Sequence, residues 1–89
     1  PGEIIDKLRE VVFLNPEHIQ GHQQLSKAYD ETLSGKKAIT HTIIMQRLQA
    51  DKKLMKEAAR SRESLKALYK KYKMTPDELK KVITPSKNY

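Results

Sequence analysis

Three histidines, a scatter of serines and a crowd of lysines are the side chains in this sequence whose chemistry needs testing first. His18 and His22 stand four residues apart, one turn of a helix, and His41 follows on a later segment. Three imidazoles could ligate zinc, but there is no His-Glu-x-x-His pattern and nothing supplies a defined fourth ligand. Satisfied polar histidines are expected, with no metal and no cofactor. Ser26, Ser34, Ser61 and Ser64 would each need a base and an orienting partner to act as nucleophiles. No nucleophile elbow, glycine-rich loop or carboxylate pair offers one. A chain of 89 residues also has little room for a substrate pocket of the usual size. No catalytic residue is assigned, and the chain is not expected to be an enzyme.

The lysines are a stronger signal. Lys52, Lys53, Lys56, Arg60, Lys66, Lys70, Lys71, Lys73, Lys80 and Lys81 form a basic stripe that could neutralise several phosphates. Contact of this kind is largely indifferent to base sequence and weakens steeply with salt. Arg47, Arg60 and Arg62 are the only arginines in this part of the chain, so bidentate reading of base edges is not suggested. Tyr69, Tyr72 and Tyr89 lie near the lysines and could stack on bases, although such tyrosines more often bury the ring and leave the hydroxyl at the surface.

The charge is sorted along the chain. Residues 1–34 hold three Lys/Arg against six Asp/Glu, and residues 35–89 hold fifteen against five. That asymmetry says more than the overall charge of +7. It points to an anionic partner, DNA or RNA, for the C-terminal part. There is no cysteine, so there is no disulfide, thiol chemistry or Cys-based zinc site. No apolar run is long enough to span a membrane, and nothing at the N-terminus reads as a signal peptide. No membrane partner is expected, and the location expected is intracellular, either cytoplasmic or with the chromosome.

These side chains must be positioned by helices. Ile4, Ile5, Leu8, Val11 and Val12 make one apolar stripe over Glu3 to Leu14. Asn15-Pro16 must stop that helix and suits the start of the next, with Asn15 as the cap and Pro16 in the first position. The second helix should run to about Thr32 or Leu33 through Ile19, Leu25, Ala28 and Tyr29. Gly21 either weakens it or marks a close approach to the first helix. Leu33-Ser34-Gly35 is the next turn, and a short link of this kind makes antiparallel neighbours.

From Lys36 to Lys73 the chain has neither proline nor glycine. An unbroken helix there would be about 57 Å long at 1.5 Å per residue. Ala38, Ile39, Thr42, Ile43, Met45 and Leu48 would pack its first part on the preceding helices. Ile44, Leu48, Asp51, Met55, Ala58, Arg62, Leu65, Tyr69 and Tyr72 then alternate by four and three, an imperfect heptad seam. Of these, Ile44, Leu48, Met55, Leu65, Tyr69 and Tyr72 are the candidate contacts to another protein or a second copy. Leu54, Ser61 and Leu68 widen the face towards bundle packing. Asp51 could instead cap a new helix at Lys52 and split the stretch. Finally, Thr75-Pro76-Asp77-Glu78 reads as a capped start, with a short helix to about Ile83 and a loose tail from Pro85.

Two stretches look like known motifs. Residues 4–50 resemble a tetratricopeptide repeat, a helix–turn–helix unit of 34 residues. Counting from Pro16 as a closing proline, Leu25, Ser26 and Tyr29 match the Leu, small and Tyr positions, and Ala38 matches the alanine nine residues later. His22 stands where the repeat has a bulky aromatic, and Ala50 where the next proline would be. The resemblance implies a protein partner; an antiparallel helical hairpin of another kind would use the same spacings. Residues 65–83 resemble a DNA-binding helix-turn-helix, with Leu68, Met74, Leu79 and Val82 at its apolar positions and Tyr69 and Lys73 departing from it. That resemblance implies a second helix in the major groove; a capped helix folding back on the long helix would use the same residues.

Together these features predict one small all-α domain, a helical hairpin or bundle of about four helices with one long basic helix. Residues 1–50 would be an acidic-to-neutral hairpin, 51–84 the basic helix plus a short capped helix, and 85–89 a tail. Two roles in different classes are expected: nucleic-acid association through the basic half, or protein interaction through the hairpin or by helix pairing.

Overall fold

The turns decide this fold, and most of them are made by residues that do not announce turns. The computed structural model describes residues 2–75. Among them are four helices and no strand: α1 (Gly2–Leu14), α2 (Ile19–Glu31), α3 (Gly35–Asp51) and α4 (Met55–Tyr72). The first break falls where Asn15-Pro16 requires it. The cap differs from expectation. His18 N–H donates to Asn15 O at 3.0 Å, which places Pro16 inside the turn, and α2 starts only at Ile19. His18 is the N-cap, its Nδ1 accepting from Gly21 N–H at 2.8 Å.

Gly21 does mark a close approach. A Cβ there would lie 2.9 Å from Val12 Cγ1 of α1 and 2.8 Å from His18 Nδ1. Val12 is fully buried in the seam so formed. It joins Leu25, Tyr29 and Ala38 in one cluster, with Ile5, Leu8 and Leu68 packed against it. Burying side chains of this size stabilises the fold by about 1.5–3 kcal/mol each.

Helices α2, α3 and α4 end in one and the same way. After α2, Ser34 N–H donates to Tyr29 O and Leu33 N–H to Asp30 O, with Leu33 left-handed at φ 59°. After α3, Leu54 N–H donates to Gln49 O and Lys53 N–H to Ala50 O, with Lys53 at φ 61°. After α4, Met74 N–H donates to Tyr69 O and Lys73 N–H to Lys70 O, with Lys73 at φ 54°. Each is a Schellman ending, and each places an ordinary residue where glycine is the usual occupant.

The second of these endings overturns the single long helix. The stretch Lys36–Lys73 breaks at Lys52–Leu54, and α4 folds back antiparallel on α3. Its start packs beside the end of α3, where Ser61 meets Gln49. Its end packs beside the start of α3, where Tyr72 covers Gly35. The extents are 29 × 27 × 22 Å, against the rod of about 57 Å that a continuous helix requires. Asp51 closes α3 instead of capping α4, whose N-cap is Leu54 with no side-chain bond.

Helix α3 is covered by α2 on one side and α4 on the other, so buried residues run around it from Ala38 to Met45. Ile39 and Ile43 form a second cluster, packed by Leu65, Leu68, Tyr69, Tyr72 and Met74. Leu65, Tyr69 and Tyr72 of the heptad seam therefore turn towards this chain's own α3. Ile44 and Leu48 are half-buried, while Met55 is 60% exposed and Asp51 and Arg62 lie in solvent. The capped helix expected from Thr75 to Ile83, and with it the second half of the helix-turn-helix resemblance, lies outside the described residues. No helix among the described residues is long and apolar enough to cross a membrane.

Candidate nucleic-acid interface and polar groove

Folding α4 back on α3 divides the basic stripe into two ends joined by a ridge. Lys52, Lys53, Lys56 and Arg60 gather at the α3–α4 turn, all exposed, with Arg47 on the last turns of α3. Lys70, Lys71 and Lys73 stand at the opposite end, beside Lys36 and Lys37 at the start of α3. Lys56 and Lys70 are about 21 Å apart along the helix axis at 1.5 Å per residue. Between them, Lys56, Arg60, Glu63, Ala67 and Lys70 fall on one outward ridge of α4, all exposed. Lys80 and Lys81 lie outside the described residues.

Two of these cations have partners. Lys66 Nζ lies 3.4 Å from Glu63 Oε1, both side chains well exposed, a pair of little energetic weight. Lys71 Nζ donates to Asp30 Oδ1 at 2.8 Å, and Tyr72 Oη donates to the same Oδ1 at 2.6 Å. The Lys71 and Tyr72 hydrogen bonds hold the Asp30 carboxyl below the usual carboxylate range, and the Asp30 bond pushes the Tyr72 phenol up. This junction ties the end of α4 to the end of α2. No other Lys or Arg is paired with a carboxylate among the described residues.

The tyrosines are engaged in the fold. The Tyr72 ring lies on Gly35 and its hydroxyl on Asp30, and Tyr69 is half-buried against Ile39 and Ile43. Burial pushes the Tyr69 phenol up. Tyr89 lies outside the described residues.

The histidines have structural duties. His18 caps α2. His22 and His41 are buried and stacked, with ring centroids 5.1 Å apart and Nδ1 to Nδ1 at 2.9 Å. His22 Nε2 bonds Pro16 O at 2.7 Å, and Tyr29 also stacks on His41, with centroids 5.6 Å apart. Burial lowers both basicities, that of His41 to about 3, with the charges of His22, Lys37 and Arg9 adding to the effect.

Sequence reasoning missed a groove. With α3 as its floor and α2 and α4 as its walls, it comprises two adjoining cavities of about 380 and 200 Å³. Gln23, Met45 and Ser64 line both. The larger continues towards Ser26, Lys27, Thr42 and the Asp30–Lys71 junction. The smaller continues towards Gln49, Ser61, Glu57 and Arg60, so Arg60 belongs both to the groove and to the cationic end. Ser26 Oγ and Thr42 Oγ1 lie 2.5 Å apart, each within reach of Ala38 O, so one hydroxyl donates to the other and the second donates to Ala38 O. Ser61 Oγ donates to Gln49 Oε1 at 2.6 Å. In the sequence these are isolated small polar residues. Only the fold-back of α4 brings Ser61 and Ser64 over α3.

No family model matches this chain, and no curated protein or solved structure matches it either.

Proposed function

We propose that this chain is a non-catalytic nucleic-acid-binding module that holds phosphate backbone at the α3–α4 turn. One observation carries this reading. Lys52, Lys53, Lys56 and Arg60 crowd nine consecutive residues around a helix break, all exposed and none paired with a carboxylate among the described residues. Like charges so placed repel one another, and an anionic partner relieves that repulsion. The break helps in a second way. Helix α4 starts with no side-chain cap, so its first N–H groups are open to an anion, with Glu57 the one carboxylate in that turn. The ridge to Lys70 extends the same field along α4.

The test is a salt titration. Short oligonucleotides should bind at low salt, with affinity falling linearly in log salt. Reversing Lys52, Lys53, Lys56 and Arg60 to Glu together should abolish binding while circular dichroism keeps the helix content. Absence of binding at low salt would end this reading.

A second reading has its own observation. Ile4, Phe13 and Leu14 of α1 are 61%, 66% and 74% exposed, on the acidic part of the chain. Uncovered apolar surface of this kind suits a protein partner or a second copy, and the tetratricopeptide-like spacing of residues 4–50 supports it. Sedimentation together with Leu14→Glu tests it: a monomer with no protein partner at any concentration removes it.

A further inference from the structure

We propose that the smaller cavity of the groove seats one unpaired nucleobase of a single strand, its edge met by the Gln49 carboxamide and its phosphate held by Arg60. This rests on the phosphate-binding reading above and narrows it from nucleic acid in general to single strands.

The starting point is Gln49. It is only 7% exposed, yet it lines the cavity of about 200 Å³. Its Oε1 accepts from Ser61 Oγ at 2.6 Å, while its Nε2 has no partner among the described residues. No buried side-chain polar atom is left unsatisfied among the described residues, so this Nε2 faces the solvent of the cavity, a donor that an entering acceptor can meet. The surroundings are anisotropic in the way a base is. Met45, itself buried, offers an apolar surface to a ring face, and Gln23, Gln49 and Ser64 offer hydrogen-bonding groups to a ring edge. Arg60 lines the same cavity and stands one helical turn from Lys56. A strand whose base reaches Gln49 therefore continues onto the cationic end without a gap.

The chemistry excludes two alternatives. In a duplex the base edges are paired and stacked, whereas an unpaired base offers its edge to a side chain. An acidic peptide would bring a carboxylate beside Glu57, which lines the same cavity. A base is neutral there, its phosphates stay outside on Lys52, Lys53 and Lys56, and Glu57 can accept from a ring N–H.

Fluorescence anisotropy at low salt, with three probes of equal phosphate count, tests the proposal: a single strand, an abasic single strand and a duplex. The single strand should bind roughly three- to tenfold more tightly than the abasic strand, the worth of one or two hydrogen bonds. Gln49→Met should remove that preference and leave affinity for the abasic strand as it was. If Gln49→Met loses helix content, Gln23→Ala and Ser64→Ala, both exposed rim positions, should reduce the same preference. Equal affinity for all three probes would overturn the base seat while leaving phosphate binding intact. So would a Gln49 side-chain amide resonance that shifts with an acidic peptide and not with the single strand. Failure of every probe to bind would remove the phosphate reading and this inference together.

Discussion

His22 and His41 face each other Nδ1 to Nδ1 at 2.9 Å inside the molecule, and the bond to Pro16 fixes which ring donates. A carbonyl only accepts, so His22 Nε2 carries a proton. Neutral His22 then has an acceptor at Nδ1, and His41 must donate from its own Nδ1. Protonating His22 would put a second N–H at this contact, and protonating His41 would add a proton at its Nε2, a charge that burial disfavours. Both folded-state pKa values are lowered, that of His41 from 6.5 to about 3. A lowered histidine pKa means the unfolded chain takes up the proton first. Stability is therefore complete above about pH 6.5 and declines as pH falls towards 3, where the folded His41 also protonates. At 1.36 kcal/mol per unit the loss from His41 is on the order of 5 kcal/mol. Urea midpoints should fall steadily between pH 7.5 and pH 4.5. A flat profile would contradict the pairing.

Gly35 and Tyr72 are in closer contact than any side chain would permit. A Cβ at Gly35 would lie 2.5 and 2.6 Å from the Tyr72 ring. Gly35→Ala should therefore destabilise the chain by about 1–3 kcal/mol, the usual range for overpacking. The backbone is not the reason, since Gly35 is helical with negative φ. Combining Gly35→Ala with Tyr72→Leu should then cost less than the sum of the two single changes. Additive losses in chemical denaturation would show that the ring is not the obstacle.

Lys53 sits at φ 61° in the turn that folds α4 back. Left-handed backbone costs an L-residue about 1–2 kcal/mol, and glycine largely avoids it. Lys53→Gly should raise stability by roughly 0.5–1 kcal/mol, net of glycine's greater freedom in the unfolded chain. Lys53→Val should lower it, because a β-branched residue is least tolerant there. A destabilised Lys53→Gly would mean that the lysine side chain contributes more to the turn than its backbone strain removes.

That turn also explains what could be foreseen. The helix class, the stop at Asn15-Pro16 and the close approach at Gly21 follow from rules about which backbone each residue tolerates. The break at Lys53 does not, because lysine carries no turn signal and the flanking pattern suits a helix. Gly35, the one glycine in the region, reads locally as part of a turn. Its real duty is to admit the Tyr72 ring from far along the chain, a contact no local pattern encodes. Gln49 and Ser61 are hidden for the same reason: each is an ordinary polar helix residue until the chain reverses between them.

The two cationic ends give the last prediction. If phosphates are held mainly at the α3–α4 turn, reversing Lys56 and Arg60 to Glu should lower the slope of log affinity against log salt by roughly 2, about one for each phosphate no longer neutralised. Reversing Lys36 and Lys73, about one helix length away, should change it little for an oligonucleotide too short to span α4. With a longer strand both pairs should matter, since Lys70 and Lys73 then lie within reach of the same backbone. Lys71 is the internal control. Its bond to Asp30 already neutralises it, so Lys71→Gln should weaken the α2–α4 junction, read as a lower melting temperature, with almost no effect on the salt slope. Equal slopes for the two end variants on a short strand would mean that charge is sensed by the whole surface and not by the turn.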